Sequence, residues 1–268
     1  MGHLLNGAEK KQNHHIVIRF LSLGLFLVAW HLAARAGWLQ LPTPLETLKV
    51  LIRLIVSGDP YYRRTVQELT LSSLQVVMEG ALAGCILAIP LGLAMGWWRS
   101  AEAALNTLIE IFRPIPPLAW IPVAYLLFAA LPSPTIYVQI FVVFVGVFFP
   151  VLVNTVAGVK GVQPVHLDAA RTCGAKPVEI IFKVVVPSAL PLVVTGIRVG
   201  LGVGWMCIVA AEFVGGRMGI GYYIWSAYNL GGRNAEILSG IVAIGAVGYI
   251  LNQGMLWLER RLMPWRFL

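Results

Sequence analysis

Residues 158–187 read GVKGVQPVHLDAARTCGAKPVEIIFKVVVP, a polar island between two apolar runs, each long enough to cross a bilayer. The island therefore belongs at a membrane surface, facing water or a partner. Its local code predicts two short helices joined by a tight turn. Pro164 suits the first turn of a helix, where its missing N–H does no harm, and Ala169 and Ala170 are strong helix formers. Gly174 can adopt the left-handed geometry that ends a helix. Pro177 can start the second helix, and Pro187 is expected to end it and open the next span. Val178, Ile181 and Phe182 fall at i, i+3 and i+4 and form an apolar stripe. Two such helices clamped to a membrane domain make a rigid knob that suits a groove in another protein.

The composition agrees with a membrane setting. Of 268 residues 58% are hydrophobic and only 12% charged, against about a quarter charged in soluble domains. The net charge of +8 comes from residues scattered at loops and helix ends, without a basic run, so headgroup anchoring explains it better than nucleic acid. Cys85, Cys173 and Cys207 are far apart, with no C-x-x-C and no Cys/His pairing at metal spacing, and His14, His15 and His166 show no ligand spacing either. No metal site is expected. Neither is a catalytic residue: no Ser/His arrangement or carboxylate pair stands out.

Outward from the island, six apolar segments predict an all-α membrane protein with six transmembrane helices. The first covers 16–36; Ala34-Arg35-Ala36 resembles a cleavage site, but the run is long for a signal peptide and is read as an uncleaved span. Residues 45, 48, 51, 52 and 55 mark a short amphipathic helix, either lying on the membrane or packed on the domain. A long second span follows over 66–98, with Gly80/Gly84 and Gly92/Gly96 as small-xxx-small pairs, Pro90 as a permitted kink, and Trp97, Trp98 and Arg99 at its exit. The third, 102–130, contains Arg113-Pro114-Ile115-Pro116-Pro117-Leu118-Ala119-Trp120-Ile121-Pro122. Four prolines in nine residues cannot sit in an unbroken helix. Irregular backbone at membrane depth is tolerated only when buried in protein or facing a water-filled cavity, so this segment is either part of a solute path or a structural kink. Residues 136–158 form the fourth span and 188–212 the fifth, where Gly196, Gly200 and Gly204 share one face and read as helix packing, not as a dinucleotide loop. A loop rich in Gly, Tyr and Asn is expected over 213–236, and the sixth span over 237–258.

Ionisable residues inside spans are costly and point to function or to pairing. Glu79, Glu110, Arg113, Arg198 and Glu212 are such residues. Glu110 and Arg113 are spaced to pair on one helix face. Arg198 either faces a cavity, where it could meet an anion, or pairs with Glu79.

The pattern Asp168-Ala169-Ala170-x3-Gly174-x9-Val184-x-Val186-Pro187 resembles the "EAA" loop of ABC-transporter membrane permeases, Glu-Ala-Ala-x3-Gly-x9-Ile-x-Leu-Pro, with Asp for Glu, Val for Ile and Val for Leu. The phrase from Arg113 to Pro122 is similar to one in the nitrate/sulfonate/taurine/bicarbonate branch of the binding-protein-dependent importers. The resemblance implies a type I importer permease fold with cytoplasmic coupling helices. The ATPase would be coupled through Asp168, Ala169, Ala170, Arg171, Gly174, Lys176 and Pro177. A solute path would include Arg113, Pro114, Pro116, Pro117, Trp120, Arg198 and Glu212. The implied partners are ATP-binding cassette ATPase subunits, an extracytoplasmic substrate-binding protein and a second permease copy as a homodimer. The implied place is the inner membrane of a bacterium or archaeon with both termini cytoplasmic, and Lys10, Lys11, Lys160, Arg260 and Arg261 then lie on the inner side. No Gly-x4-Gly-Lys-[Ser/Thr] motif occurs, so no cofactor is expected in this chain. The expected layout is 1–65 as tail, first span and surface segment, 66–258 as the core permease domain with its loop at 159–187, and 259–268 as a basic tail. The rival reading is a secondary transporter or channel acting without an ATPase; a membrane-embedded enzyme has no catalytic constellation to support it.

Overall fold

The computed structural model describes residues 18, 21–37, 41–216 and 218–263. Lys10, Lys11, His14, His15, Arg19, Arg217 and Arg266 lie outside the described residues. The helices are α1 (Leu21–Arg35), α2 (Pro44–Val56), α3 (Val66–Trp97), α4 (Arg99–Phe112), α5 (Ile121–Phe128), α6 (Pro134–Lys160), α7 (Pro164–Thr172), α8 (Pro177–Ile180), α9 (Val186–Gly215), α10 (Ile220–Leu230) and α11 (Asn234–Leu262).

Three helices form the trunk, and small residues let them approach. A methyl group at Gly80 would stand 2.7 Å from Val143, one at Gly84 3.2 Å from Val147, one at Gly92 2.6 Å from Thr155, and one at Gly96 2.5 Å from Val159. The partner number exceeds the glycine number by the same 63 each time (143 − 80, 159 − 96), so α3 and α6 run parallel in fixed register. Along the same ridge of α6, Gly196 meets Val151 and Asn154, Gly200 meets Val147, and Gly204 meets Val143 and Val147. That order is reversed, so α9 is antiparallel. Within hydrocarbon there is little hydrophobic gain in bringing two apolar helices together, and close van der Waals contact of this kind holds them. The valine ridge of α6, Val142, Val143, Val147 and Val151, is fully buried.

Parallel α3 and α6 impose a topology. The chain leaves α3 beside the end of α6 and must return to the opposite end of the bundle before α6 can begin. Residues 98–133 make that return as a broken span: α4, a 3-10 turn (Pro117–Trp120) and α5, bent by 90°. Among the described residues the six expected spans thus resolve into four unbroken ones (α3, α6, α8–α9 and α11), this broken one, and the shorter apolar helix α1.

Two expectations need correction. Pro187 does not end a helix. Ile181–Val185 forms a π turn, with the Val186 amide bonding back five residues to Ile181, and the helix runs on from α8 through Pro187 into α9. The slipped register absorbs the proline that would break a regular α-helix. Nor is 213–236 all loop, because α10 lies within it. Its sequence carries no local cap at Gly219. The first two amides are satisfied from elsewhere: Ile220 N–H donates to Ser73 Oγ of α3 (3.0 Å), and Gly221 N–H to the Glu212 carboxylate of α9 (2.7 Å).

At this far end of the bundle, α2 packs on α11 through Arg53–Glu236 (2.9 Å) and a Ser239 hydroxyl donated to the Thr47 carbonyl (2.9 Å). α2 thus packs on the domain, while Leu45, Leu48, Ile52 and Ile55 of its apolar stripe stay exposed. The turn before α3 closes on Asp59, which is 1% exposed. Its carboxylate accepts the amides of Tyr61 (2.8 Å) and Tyr62 (3.1 Å) and the Tyr223 hydroxyl (3.0 Å), and pairs with Arg233. Burial alone would raise the Asp59 carboxyl, but the two amides, Arg233 and Tyr223 outweigh it and hold it below its ordinary value of 3.8.

Gly80→Ala should cost about 1–3 kcal/mol by overpacking, whereas Gly202→Ala, with open space around it, should be neutral or slightly stabilising; thermal unfolding of the purified protein measures both. The Asp59 clasp carries a pH signature. A carboxylate whose folded value is depressed contributes stability that is complete above the unfolded value and is lost as pH falls through the folded one. Stability should therefore hold level down to about pH 5 and drop below 3.8. Asp59→Asn should remove that dependence and cost roughly 1–3 kcal/mol, because Arg233 then keeps only its longer contact to Glu236 (3.8 Å).

Candidate coupling knob and solute cleft

The island of residues 158–187 forms a knob on the near end of the trunk. α7 ends in a Schellman motif: Gly174 N–H donates to Arg171 O (2.9 Å), and Ala175 N–H reaches back to Ala170 O (3.1 Å). Gly174 has φ +80°, a conformation closed to most side chains. Glu179 then turns back to accept the Lys176 amide (2.9 Å), fixing the start of α8. On the knob's underside Leu167, Ala170 and Ala175 are half-buried and Ile180 fully buried, against Val159, Ala189 and Val193 of the trunk. Its outer surface presents Asp168, Ala169, Arg171, Gly174, Lys176 and Pro177. The Arg171–Asp168 (2.9 Å) and Lys183–Glu179 (3.2 Å) pairs are both exposed. Of the predicted stripe, Val178 and Phe182 point outward, 63% and 67% exposed, while Ile181 is half-buried. The knob is thus a rigid seat carrying exposed charge and exposed apolar groups together.

At the stalk, Lys160, the last residue of α6, pairs with Glu102 in the first turn of α4. α4 leads to the elbow Arg113–Pro117, where the prolines remove three amide donors and the remaining ones close short turns: Ile115 N–H to Phe112 O (3.1 Å) and Ala119 N–H to Pro116 O (2.9 Å). Arg113 and Pro117 line a cleft of about 320 Å³ whose other walls come from α6 and α9, among them Gly146, Asn154 and Val203. Asn154 donates its amide to Pro150 O (2.8 Å). Glu110 and Arg113 do not pair. Glu110 accepts from Asn106 (2.8 Å), and Arg113, among the described residues, has no carboxylate within ion-pair reach.

The other residues expected along a path do not line this cleft. Pro114 and Pro116 sit exposed at the elbow. Trp120 turns to a separate apolar cavity of about 430 Å³, beside Phe112 and Phe141. Arg198 pairs with Glu259 (3.5 Å) and not with Glu79, which takes a bond from Gln75 (3.3 Å). Glu212 is 1% exposed and is spent on structure, accepting from Ser73 Oγ (2.6 Å) and Gly221 N. Gly196, Gly200 and Gly204 lie against α6. Sequence reading missed Asn154, Lys160–Glu102 and the Asp59–Arg233 clasp. Asn154 had a signal, a polar break four residues after Pro150; the two ion pairs join residues 58 and 174 positions apart and had none.

Comparison with known proteins places this architecture. The family described as "Binding-protein-dependent transport system inner membrane component" matches residues 82–264. A putative ABC transporter permease protein of Methanocaldococcus jannaschii is 36% identical over 99% of this chain and 98% of its own. The taurine transport system permease protein of Escherichia coli is 32% identical over 94% and 91%, and a bicarbonate transport system permease protein of Synechocystis is 33% identical over 89% and 86%. Among solved structures, an inward-facing MetNI methionine ABC transporter chain superposes with a TM-score of 0.63 at 18% identity, covering 71% of this chain and 93% of that one, a likeness of fold. The chain belongs to the binding-protein-dependent transport system inner membrane components, the membrane-spanning subunits of ABC importers.

Proposed function

We propose that this chain forms the translocation path of an ATP-driven importer for a small anion and is driven through residues 164–183. The observation that carries the reading is the knob: exposed charged and apolar groups on a seat locked into the trunk by Ile180, Val185 and the Gly174 turn. An ATPase can bias two permease states only through contacts that differ between them, and a rigid protruding seat supplies such contacts without dissipating them in local motion. Asp168, Ala169, Arg171, Gly174, Lys176 and Pro177 make up that contact, with Ala170 seating the knob on the trunk from below; the knob faces the cytoplasm, and both termini lie on the same side. A second copy closes the path as a homodimer, and a binding protein delivers solute to the far end. ATP is held by the partner subunits.

The anion reading rests on Arg113, a guanidinium that among the described residues has no carboxylate partner, at a proline-broken elbow in an otherwise largely apolar cleft. The relatives named for bicarbonate and for nitrate (a Synechocystis nitrate import permease at 31% identity) support the same charge class, and the taurine of a third relative's name is a zwitterion that still carries an anionic sulfonate.

Charge reversal at the knob, Asp168→Lys with Arg171→Glu, should leave membrane insertion intact while uptake per ATP hydrolysed falls roughly tenfold or more, in line with losing charged interface contacts. Uptake and hydrolysis measured together in vesicles check this, and unchanged uptake overturns the coupling assignment. Arg113→Gln should cut anion uptake by about tenfold or more with knob coupling retained, the loss of a hydrogen bond to a charged group. Unaltered uptake would remove Arg113 from the path and leave the coupling assignment standing.

A further inference from the structure

On the reading that Arg113 holds the anion, we infer that the solute carries a hydrogen-bond donor, an ammonium or a hydroxyl, at its other end, and that Asn154 receives that donor. Arg113 and Asn154 are the only polar side chains that line the cleft, and they stand on different walls, the elbow and α6. The guanidinium can only donate. Asn154 is fixed in two ways. Its Cβ lies against Gly196 of α9, where a methyl group would come within 2.8 Å, and its amide nitrogen donates to Pro150 O (2.8 Å). A carbonyl can only accept, so the nitrogen must face Pro150 and Oδ1 is left as the outward acceptor. Among the described residues none donates to Oδ1, and the atom is not closed off from the cleft.

Pro150 adds a second acceptor to the same wall. It lies inside α6 and has no N–H, so the Gly146 carbonyl one turn earlier loses its helix donor. Gly146 and Pro150 both line the cleft, near the middle of the 27-residue helix. Lipid headgroups do not reach that depth, and a carbonyl without its donor is tolerated there where it lines a cavity. One wall thus offers donors and the other offers two carbonyl oxygens. A plain anion would satisfy Arg113 but set its remaining oxygens against those carbonyls and leave them without a donor, which is costly away from water. A solute ending in an ammonium or a hydroxyl satisfies both walls. The rest of the lining is aliphatic, aromatic or proline, including Phe149, Val199 and Val203, which suits a short carbon chain between the two ends. A cleft of about 320 Å³ is at the small end for ligand sites and matches a solute of that size.

The test uses the full chain with its co-expressed ATPase subunits in lipid nanodiscs, without a binding protein, so that the membrane path alone selects. Equilibrium dialysis measures the binding of 2-aminoethanesulfonate, 2-hydroxyethanesulfonate and propane-1-sulfonate, which share one anionic group and one length and differ in the far end. The amino and hydroxy compounds should bind about tenfold or more tighter than propanesulfonate, as expected for a hydrogen bond whose absence leaves an acceptor dry. Asn154→Leu should bring the affinities to a common value. Asn154→Asp, which keeps an acceptor in place, should keep the preference for the ammonium. Equal binding by the wild-type complex overturns the proposal, and so does loss of the ammonium preference in Asn154→Asp. Should Asn154→Leu fail to fold, the wild-type comparison and Asn154→Asp decide. A donor preference that outlasts Asn154→Leu overturns this proposal alone and leaves the anion reading standing. Arg113→Gln should weaken all the sulfonates alike; binding unchanged by it, or no binding of any sulfonate to the wild-type complex, overturns the anion reading and this proposal with it.

Discussion

The contact between glycines and the valine ridge of α6 is the constraint on which the rest of the molecule depends. Apolar helices in a bilayer gain little from merely meeting one another, since lipid tails are as good a solvent as a leucine side chain. What distinguishes α3 and α9 is that each carries a file of glycines, so that backbone can approach backbone across Val143, Val147, Val151 and Val159. That contact sets direction as well as distance. It makes α3 and α6 parallel, which forces a return span between them, and the three prolines that break that span put Arg113 at an elbow beside α6 and α9.

The same trunk organises both ends. At the near end α6 runs directly into the knob, and α9 rises from it through the π turn without a flexible joint. Lys160 ties the knob's stalk to α4 through Glu102, so the arm that carries the elbow is attached at its root to the segment that carries the charged seat. The pair is partly exposed and of modest strength, yet it joins the two features directly. At the far end two buried carboxylates serve as internal fasteners. Glu212 supplies the start of α10, and Asp59 gathers the turn before α3, α10 and the root of α11.

Much of this was written in local sequence. The knob's two helices, the Gly174 turn, the small-residue faces of α3 and α9 and the break at Pro114–Pro117 each follow from residue types at short spacing, where proline, glycine and hydrophobic period speak directly. What escaped was non-local. α10 has no cap of its own and borrows Ser73 and Glu212, so its stretch read as loop. Pro187 reads as a helix end unless the register slips, and the slip is set by packing of Val185 and Ala189 on the trunk. Arg198 had several acidic candidates at comparable depth, and only the fold chooses Glu259 over Glu79. Glu212, which composition marks as functional, is a structural acceptor for the same reason: its partners come from two other helices.

The constant offset of 63 between α3 and α6 has a consequence for how such a chain can change over generations. Four seats spread over sixteen positions act like teeth on two racks. Adding or deleting one residue inside either rack would leave the teeth on one side of the edit meshed and turn the others by about 100°, presenting the wrong side chains. Length variation is therefore excluded from both helices between the outermost teeth and is confined to the connecting segments, where drift in length leaves the trunk untouched.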